Sequence, residues 1–267
     1  MTSPAVIRRY RPGDRAALDD ICIRTAHNGL DARPVYADPT ILPAIFAQPY
    51  VELEPELAFV LDDGQGQAVG YILGVADTPR FAAEFRTKWL PLVADRYPEG
   101  SAAPGTPDEL MIRLLHDPER MIVPELAAYP AHLHIDLLPE WQGRGHGREL
   151  MRTLLAALAD RGVPAVHLVM ATANVPARAF YDRLGFREIP VPDLGRSRAW
   201  GVRPEISTGR SPSSITMAIK VRRLSNLYTR SKGEEPWSGR CGSMRSAGPR
   251  CCGSKRLRSA SPARANC

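Results

Sequence analysis

Cysteine is nearly absent from the first 240 residues of this chain: Cys22 stands alone there, while Cys241, Cys251, Cys252 and Cys267 sit close to the C-terminus. One cysteine cannot form a disulfide within that region, so a reducing compartment is expected. No apolar run is long enough to span a bilayer, and the first residues carry Arg8, Arg9 and Arg11 without the apolar stretch of a secretory leader. A cytoplasmic protein without membrane contact is the expectation. Acid is scarce in one part only: residues 195–267 hold 16 Lys plus Arg against 3 Asp plus Glu, which leaves 19 against 26 for residues 1–194. The overall formal charge of +6 therefore averages an acidic globular part and a basic tail. The few aromatic residues of the tail do not interleave with its charge as a stacking platform requires, so nucleic acid is not the expected partner.

Two common phosphate-binding patterns are also missing. There is no G-x-x-x-x-G-K-[ST], and G-x-G-x-x-G would need glycine where Arg148 stands, which argues against a nucleotide triphosphate and a dinucleotide as the ligand. Present instead is an apolar run, Ala131 to Leu138, that reads as a strand and breaks at Pro139 into Gln142-Gly143-Arg144-Gly145-His146-Gly147. From Arg148 to Arg161 the residues Leu150, Met151, Leu154, Leu155 and Leu158 fall at helical spacing. The glycines thus occupy a strand-to-helix corner. Glycine lets a ligand approach the backbone, and the first amides of a helix have no internal partner, so such a corner suits a phosphate group, with Arg144 and Arg148 adding charge.

Before that corner the chain reads as a strand at Val6 to Tyr10, a helix from Arg15 to His27 capped by Asp14, and a helix from Asp38-Pro39-Thr40 through Phe46. A strand at Leu57 to Leu61 and another at Ala68 to Val75 form a hairpin about Asp62-Asp63-Gly64-Gln65-Gly66. Residues 77–130 read as a helical insertion, in which Phe81 to Val93 carries Phe81, Phe85, Trp89 and Leu92 as an amphipathic stripe and Pro107 to Leu115 carries Leu110, Met111 and Leu114. Beyond the corner come a strand at Ala165 to Ala171 and the array Asn174-x-x-Ala177-x-x-Phe180-Tyr181-x-x-Leu184-Gly185-Phe186.

The pattern Q-x-x-G-x-G at Gln142, Gly145 and Gly147, with the strand before it and the array from Asn174 to Phe186 after it, resembles the acetyl-CoA loop and second signature of the GNAT acetyltransferases. The helical stretch and His132-Leu133-His134-Ile135-Asp136 are similar to the acetyltransferase-like domain of O-GlcNAcase and its bacterial relatives. The resemblance covers about residues 5–191. It implies an α/β GNAT fold: a central mixed, mostly antiparallel sheet flanked by helices, with a helical insertion between the third and fourth strands. It also implies acetyl transfer from acetyl-CoA to a primary amine by direct attack in a ternary complex, without a metal. The implied cofactor-binding residues are Leu137, Leu138, Gln142, Gly143, Arg144, Gly145, His146, Gly147, Arg148, Asn174 and Tyr181. The implied catalytic residues are Tyr181, a general acid for the departing thiolate, and Asp136, a base for the amine. The acceptor is not specified, because a protein lysine, a polyamine, an aminoglycoside-like drug and an amino sugar all present an amine. Homodimers are common in the superfamily, and one is an expected assembly.

Strand alternation sets His132, His134 and Asp136 on one face, with Leu133, Ile135 and Leu137 on the other. Three readings stay open for these polar residues: a base in the acyl-transfer site, a hydrogen-bonded buried cluster, or the H-x-H-x-D start of a hydrolase metal site, although Leu137 stands where that motif continues with histidine. A domain that binds acetyl-CoA without turnover is a further alternative. The organisation expected is an acetyltransferase domain over residues 1–194 and a basic, disordered tail over residues 195–267. A GNAT sheet ends in a last antiparallel strand beside the one that starts near Phe186. Ile215 to Val221 is the tail stretch with the character to supply it.

Overall fold

A computed structural model of the chain describes residues 4–172, 174–192 and 197–203. Its strands are β1 (Val6–Arg9), β2 (Ala58–Asp62), β3 (Ala68–Val75), β4 (Ala131–Leu137), β5 (Val166–Ala171), β6 (Arg187–Ile189) and β7 (Ser197–Val202). They form a single sheet in the order β1-β2-β3-β4-β5-β7-β6. Every neighbouring pair is antiparallel except β4 and β5. Those two are parallel because the connection between them is a crossover helix, α7 (His146–Asp160).

Between β1 and β2 lie α1 (Arg15–Thr25), α2 (Ile41–Phe46) and α3 (Gln48–Leu53). The insertion between β3 and β4 is helical: α4 (Thr78–Glu84), a π-helical turn (Phe85–Trp89), α5 (Leu90–Val93) and α6 (Pro107–His116). The sequence reads Phe81 to Val93 as one continuous helix, and the wide turn within it has a local cause. Pro91 has no amide to donate and its ring crowds the carbonyl four residues back, so the chain widens just before it. The last helix, α8 (Val175–Arg183), precedes β6.

Both β2 and β3 are buried along their whole length. A strand covered on both faces loses the polar–apolar alternation of a half-exposed one, which explains their continuous apolar sequence. Helix α1 sets Leu18, Ile21 and Cys22 against the sheet, and α7 sets Leu150, Met151, Leu154, Leu155 and Leu158. Gly74 allows α7 to approach β3, since a Cβ there would collide with the Leu154 side chain.

Asp14 departs from its expected role. Its carboxylate makes no cap bond to α1. It takes the Arg11 amide at 2.7 Å and both terminal nitrogens of Arg8, at 2.7 and 2.8 Å. Arg8 also donates through Nε to Asp62 at 2.8 Å, and Asp62 accepts the amides of Gly64 and Gly66 in the hairpin turn. One guanidinium thereby ties the first strand, the start of α1 and the β2–β3 turn together.

The sheet does not stop at residue 194, where the sequence reading ends the domain. Strand β7 pairs with β5 from Val166↔Val202 to Ala171↔Ser197 and with β6 on its other side, and it buries Trp200 to 1% exposure. It was missed because Gly195-Arg196-Ser197-Arg198 looks like tail. Only three of its residues, Ala199, Trp200 and Val202, carry apolar side chains. The alternative strand at Ile215 to Val221, and the rest of the tail from residue 204, lie outside the described residues.

Candidate active site

Strand β4 is the axis of the site. On one side it pairs with β3 along its whole length, from Val75↔His132 to Gly70↔Leu137. On the other side it pairs with β5 only at Ala131↔Val166 and His132↔His167. Beyond His132 the two parallel strands part, leaving one edge of β4 open.

Which backbone groups face that opening follows from the alternation of a strand. The Ala131 amide donates to the Ala165 carbonyl at 3.2 Å, on the β5 side, whereas the Leu138 amide donates to the Val69 carbonyl at 3.0 Å, on the β3 side. The amides of Ile135 and Leu137 therefore point into the gap. Leu137 and Leu138, expected to act together, separate here: Leu138 is buried and its amide is committed to β3. The Leu137 carbonyl accepts the Gln142 side-chain amide at 2.8 Å, so the glutamine of the sequence motif pins the glycine loop to the strand end.

Gly143 and Gly145 adopt φ of +71° and +89°, which other residues seldom adopt, and a Cβ at either would meet open space. The loop then enters α7 with Gly145 as its N-cap, and the Gly145 carbonyl accepts the amides of Arg148 and Glu149. The successive amides from Gly143 to Gly147 make no backbone hydrogen bond within the described residues. Gly147 packs under Phe180, where a Cβ would lie 3.3 Å from the ring. Arg144 and His146 turn elsewhere: the Arg144 guanidinium lies 5.7 Å from the centre of the Trp141 ring, and the His146 ring lies 5.8 Å from it. Only their amides remain directed by the loop.

A cavity of about 650 Å³ joins these parts. The glycine loop and Arg148 line one end, α8 supplies Asn174, Phe180, Tyr181 and Arg183, and Asp136 and Leu137 border it from β4. Thr25, Asn28 and Gly29, at the end of α1, close it on a side that the sequence reading did not assign. Asn28 has φ of +58° and Gly29 +85°, so the Asn-Gly pair was the available signal for a tight turn, though not for its place at the cavity. Asn174 accepts the Ala177 amide at 3.2 Å as the N-cap of α8 and also lines the cavity.

The two titratable candidates meet there. The cavity reaches Asp136, yet protein surrounds it on the remaining sides, and this burial pushes its carboxyl up to about 6 against the opposing hydrogen bond from Tyr71, which donates to Oδ2 at 2.7 Å. Thr25 stands beside it, but its hydroxyl donates to the Ile21 carbonyl at 2.7 Å. Tyr181 is 2% exposed, and burial first, then the Asp136 charge, pushes its phenol well above the ordinary value. Tyr71 was the residue missed. Nothing in a buried strand sequence distinguishes a tyrosine that meets a carboxylate from one that packs.

His132 and His134 share the face of Asp136, as alternation requires, but their nitrogens are engaged by hydroxyl groups. Tyr50 lies 2.9 Å from Nε2 of both, and Thr78 lies 2.8 Å from His132 Nδ1 while donating to the Pro130 carbonyl. Among the described residues no three His, Cys, Asp or Glu side chains converge on a point that could hold a metal ion. The buried-cluster reading describes the two histidines.

A seven-stranded mixed sheet thus opens beside its fourth strand, with a glycine corner at the mouth of the gap. The chain belongs to the GNAT acetyltransferase family, and the Acetyltransferase (GNAT) family pattern matches residues 111–186. It is 66% identical to SsHAT, whose crystal structure superposes with a TM-score of 0.72 over 75% of this chain and 98% of that one. Protein O-GlcNAcase of Rattus norvegicus is 26% identical over 187 residues, 68% of this chain, and the chain spans 20% of that protein's length. A [Ribosomal protein bS18]-alanine N-acetyltransferase of Haemophilus influenzae is 34% identical over 73 residues, 25% of this chain and 49% of that protein. Among the described residues no helix is long and apolar enough to cross a membrane.

Proposed function

We propose that the chain is an N-acetyltransferase that moves the acetyl group of acetyl-CoA to a primary amine by direct attack in a ternary complex. Acetyl-CoA supplies an activated thioester acyl group. The amides from Gly143 to Gly147, without a backbone partner among the described residues, and the Arg148 side chain are suited to its pyrophosphate. The open edge of β4 offers the Ile135 and Leu137 backbone to the pantetheine amides, and the Leu137 amide is placed to donate to a thioester oxygen as charge develops on it.

The observation that carries this reading is the meeting of two unlike proton carriers in one cavity. A carboxyl raised to about 6 is mostly ionised at neutral pH and accepts a proton from the attacking amine. A phenol raised above its ordinary range still holds its proton and gives it to a thiolate. Asp136 is the base and Tyr181 the acid.

Calorimetric titration of the full chain with acetyl-CoA and with CoA tests the donor half. Binding that disappears in Gly145→Glu is expected, and a folded protein that binds neither ends the reading. Release of free thiol in the presence of amines, lost in Asp136→Asn and Tyr181→Phe, tests the transfer half. Binding without thiol release for any amine would favour a domain that has kept the donor site and lost turnover.

A further inference from the structure

We propose that Tyr71 is a positioning residue for Asp136, holding one carboxylate oxygen so that the other is presented to the acceptor amine and the group stays ionised at working pH. The inference rests on Asp136 being the base of the proposed transfer. Tyr71 on β3 and Asp136 on β4 are directly opposite each other, so the two backbones fix the distance between their side chains. The Tyr71 hydroxyl donates to Oδ2 at 2.7 Å, the short length of a charge-assisted bond. Tyr71 is fully buried, and its hydroxyl also has a hydrogen-bond contact with the Cys22 thiol of α1.

The groups facing Asp136 can be taken element by element. Strand β3 brings Tyr71, α1 brings Cys22 and Thr25, α8 brings Tyr181, and Arg148 and Arg183 line the same cavity. The Cys22 thiol is pushed well above its ordinary value, by burial first, so it stays neutral beside the carboxylate. Of these groups Tyr71 makes the larger opposing contribution, through its 2.7 Å hydrogen bond, and Thr25 adds a smaller one in the same direction. Burial alone would lift the carboxyl further; the phenol opposes that by stabilising the charged form.

The test is the pH profile of kcat/KM for Tyr71→Phe, which removes the hydroxyl and keeps the ring. Losing a hydrogen bond to a charged group moves the acidic limb upward by about one pH unit, so that kcat/KM at pH 7 falls about twofold, with acetyl-CoA affinity by calorimetry unchanged. A limb that stays where the wild type has it overturns the proposal. Should Tyr71→Phe not fold, the wild-type chain labelled at tyrosine Cζ gives the same answer. With the Tyr181 resonance assigned by its loss in Tyr181→Phe, another tyrosine resonance must titrate with a midpoint near 6 and lose that titration in Asp136→Asn; no such second resonance also overturns the proposal. Failure of the underlying reading looks different: Asp136→Asn would then keep full activity, whatever Tyr71→Phe does.

Discussion

Gly70 and Leu137 face each other across β3 and β4 so closely that a Cβ at position 70 would lie 2.9 Å from Leu137 Cγ and 3.3 Å from its Cα. The Asp136 carbonyl would be 3.2 Å away. The strand that carries both Asp136 and the open backbone edge is therefore seated against a residue with no side chain.

Gly70→Ala is expected to displace β4 at that point. Overpacking of this kind costs about 1–3 kcal/mol, and the shift falls where donor amides must align. Thermal unfolding should show a modest loss of stability, and acetyl-CoA affinity should fall by more than that loss implies for a distant site. An unchanged affinity would mean that the Leu137 edge does not touch the donor.

The pH dependence of the wild type has a definite sign. The proposed base, Asp136, is competent only when ionised, so kcat/KM should rise with pH through a midpoint near 6. Stability runs the opposite way. The folded carboxyl binds its proton more tightly than the unfolded one, so stability from this group is lost as pH rises from the unfolded pKa towards about 6. Asp136→Asn should therefore lower turnover while leaving the unfolding temperature at pH 7 equal to or above that of the wild type.

Arg8 is the opposite electrostatic case. Its guanidinium serves Asp14 and Asp62, with side-chain exposures of 13%, 7% and 7%. Burial alone would raise both carboxyls, but their hydrogen bonds with Arg8 and with backbone amides outweigh it and hold them below the usual carboxylate range. Arg8→Met leaves two buried carboxylates unpaired and should cost about 3–5 kcal/mol by denaturant titration at pH 7. In the wild type the contribution of the pair is lost as pH falls through the depressed folded values, so acid should narrow the gap between wild type and variant.

A chain ended at residue 194 should fail to give a native thermal transition, whereas one ended after residue 203 should give one. The shorter chain lacks β7, which leaves the edge of β5 unpaired and removes Trp200 from the core. A cooperative transition in the shorter chain would show that the sheet closes without β7.

Legibility differed along the chain for physical reasons. The glycine corner could be read because its requirement is local: left-handed backbone at Gly143 and Gly145, a helix start, and a glutamine that reaches back to Leu137. The alternation of β4 assigned His132, His134 and Asp136 to one face for the same reason, since it needs only the strand period. What lies against that face comes from distant parts of the sequence: Tyr50 and Thr78 on the histidines, Tyr71 and Cys22 around the aspartate. No local period encodes those meetings. Strand β7 was hidden for a related reason, because a strand buried between two others is defined by its partners, and its arginines and glycine resemble tail.

The sequence by itself determined the order of strands β1 to β6, the glycine corner at the start of α7, the family resemblance and the candidates Asp136 and Tyr181, all of which depend on residue type and spacing within a few turns of chain. Tertiary structure alone decided that β4 parts from β5 after His132, that the Leu137 amide faces the gap while the Leu138 amide does not, and that Tyr71 holds Asp136. Those facts depend on register between strands far apart in sequence, and register is settled only when the whole sheet packs between its helices.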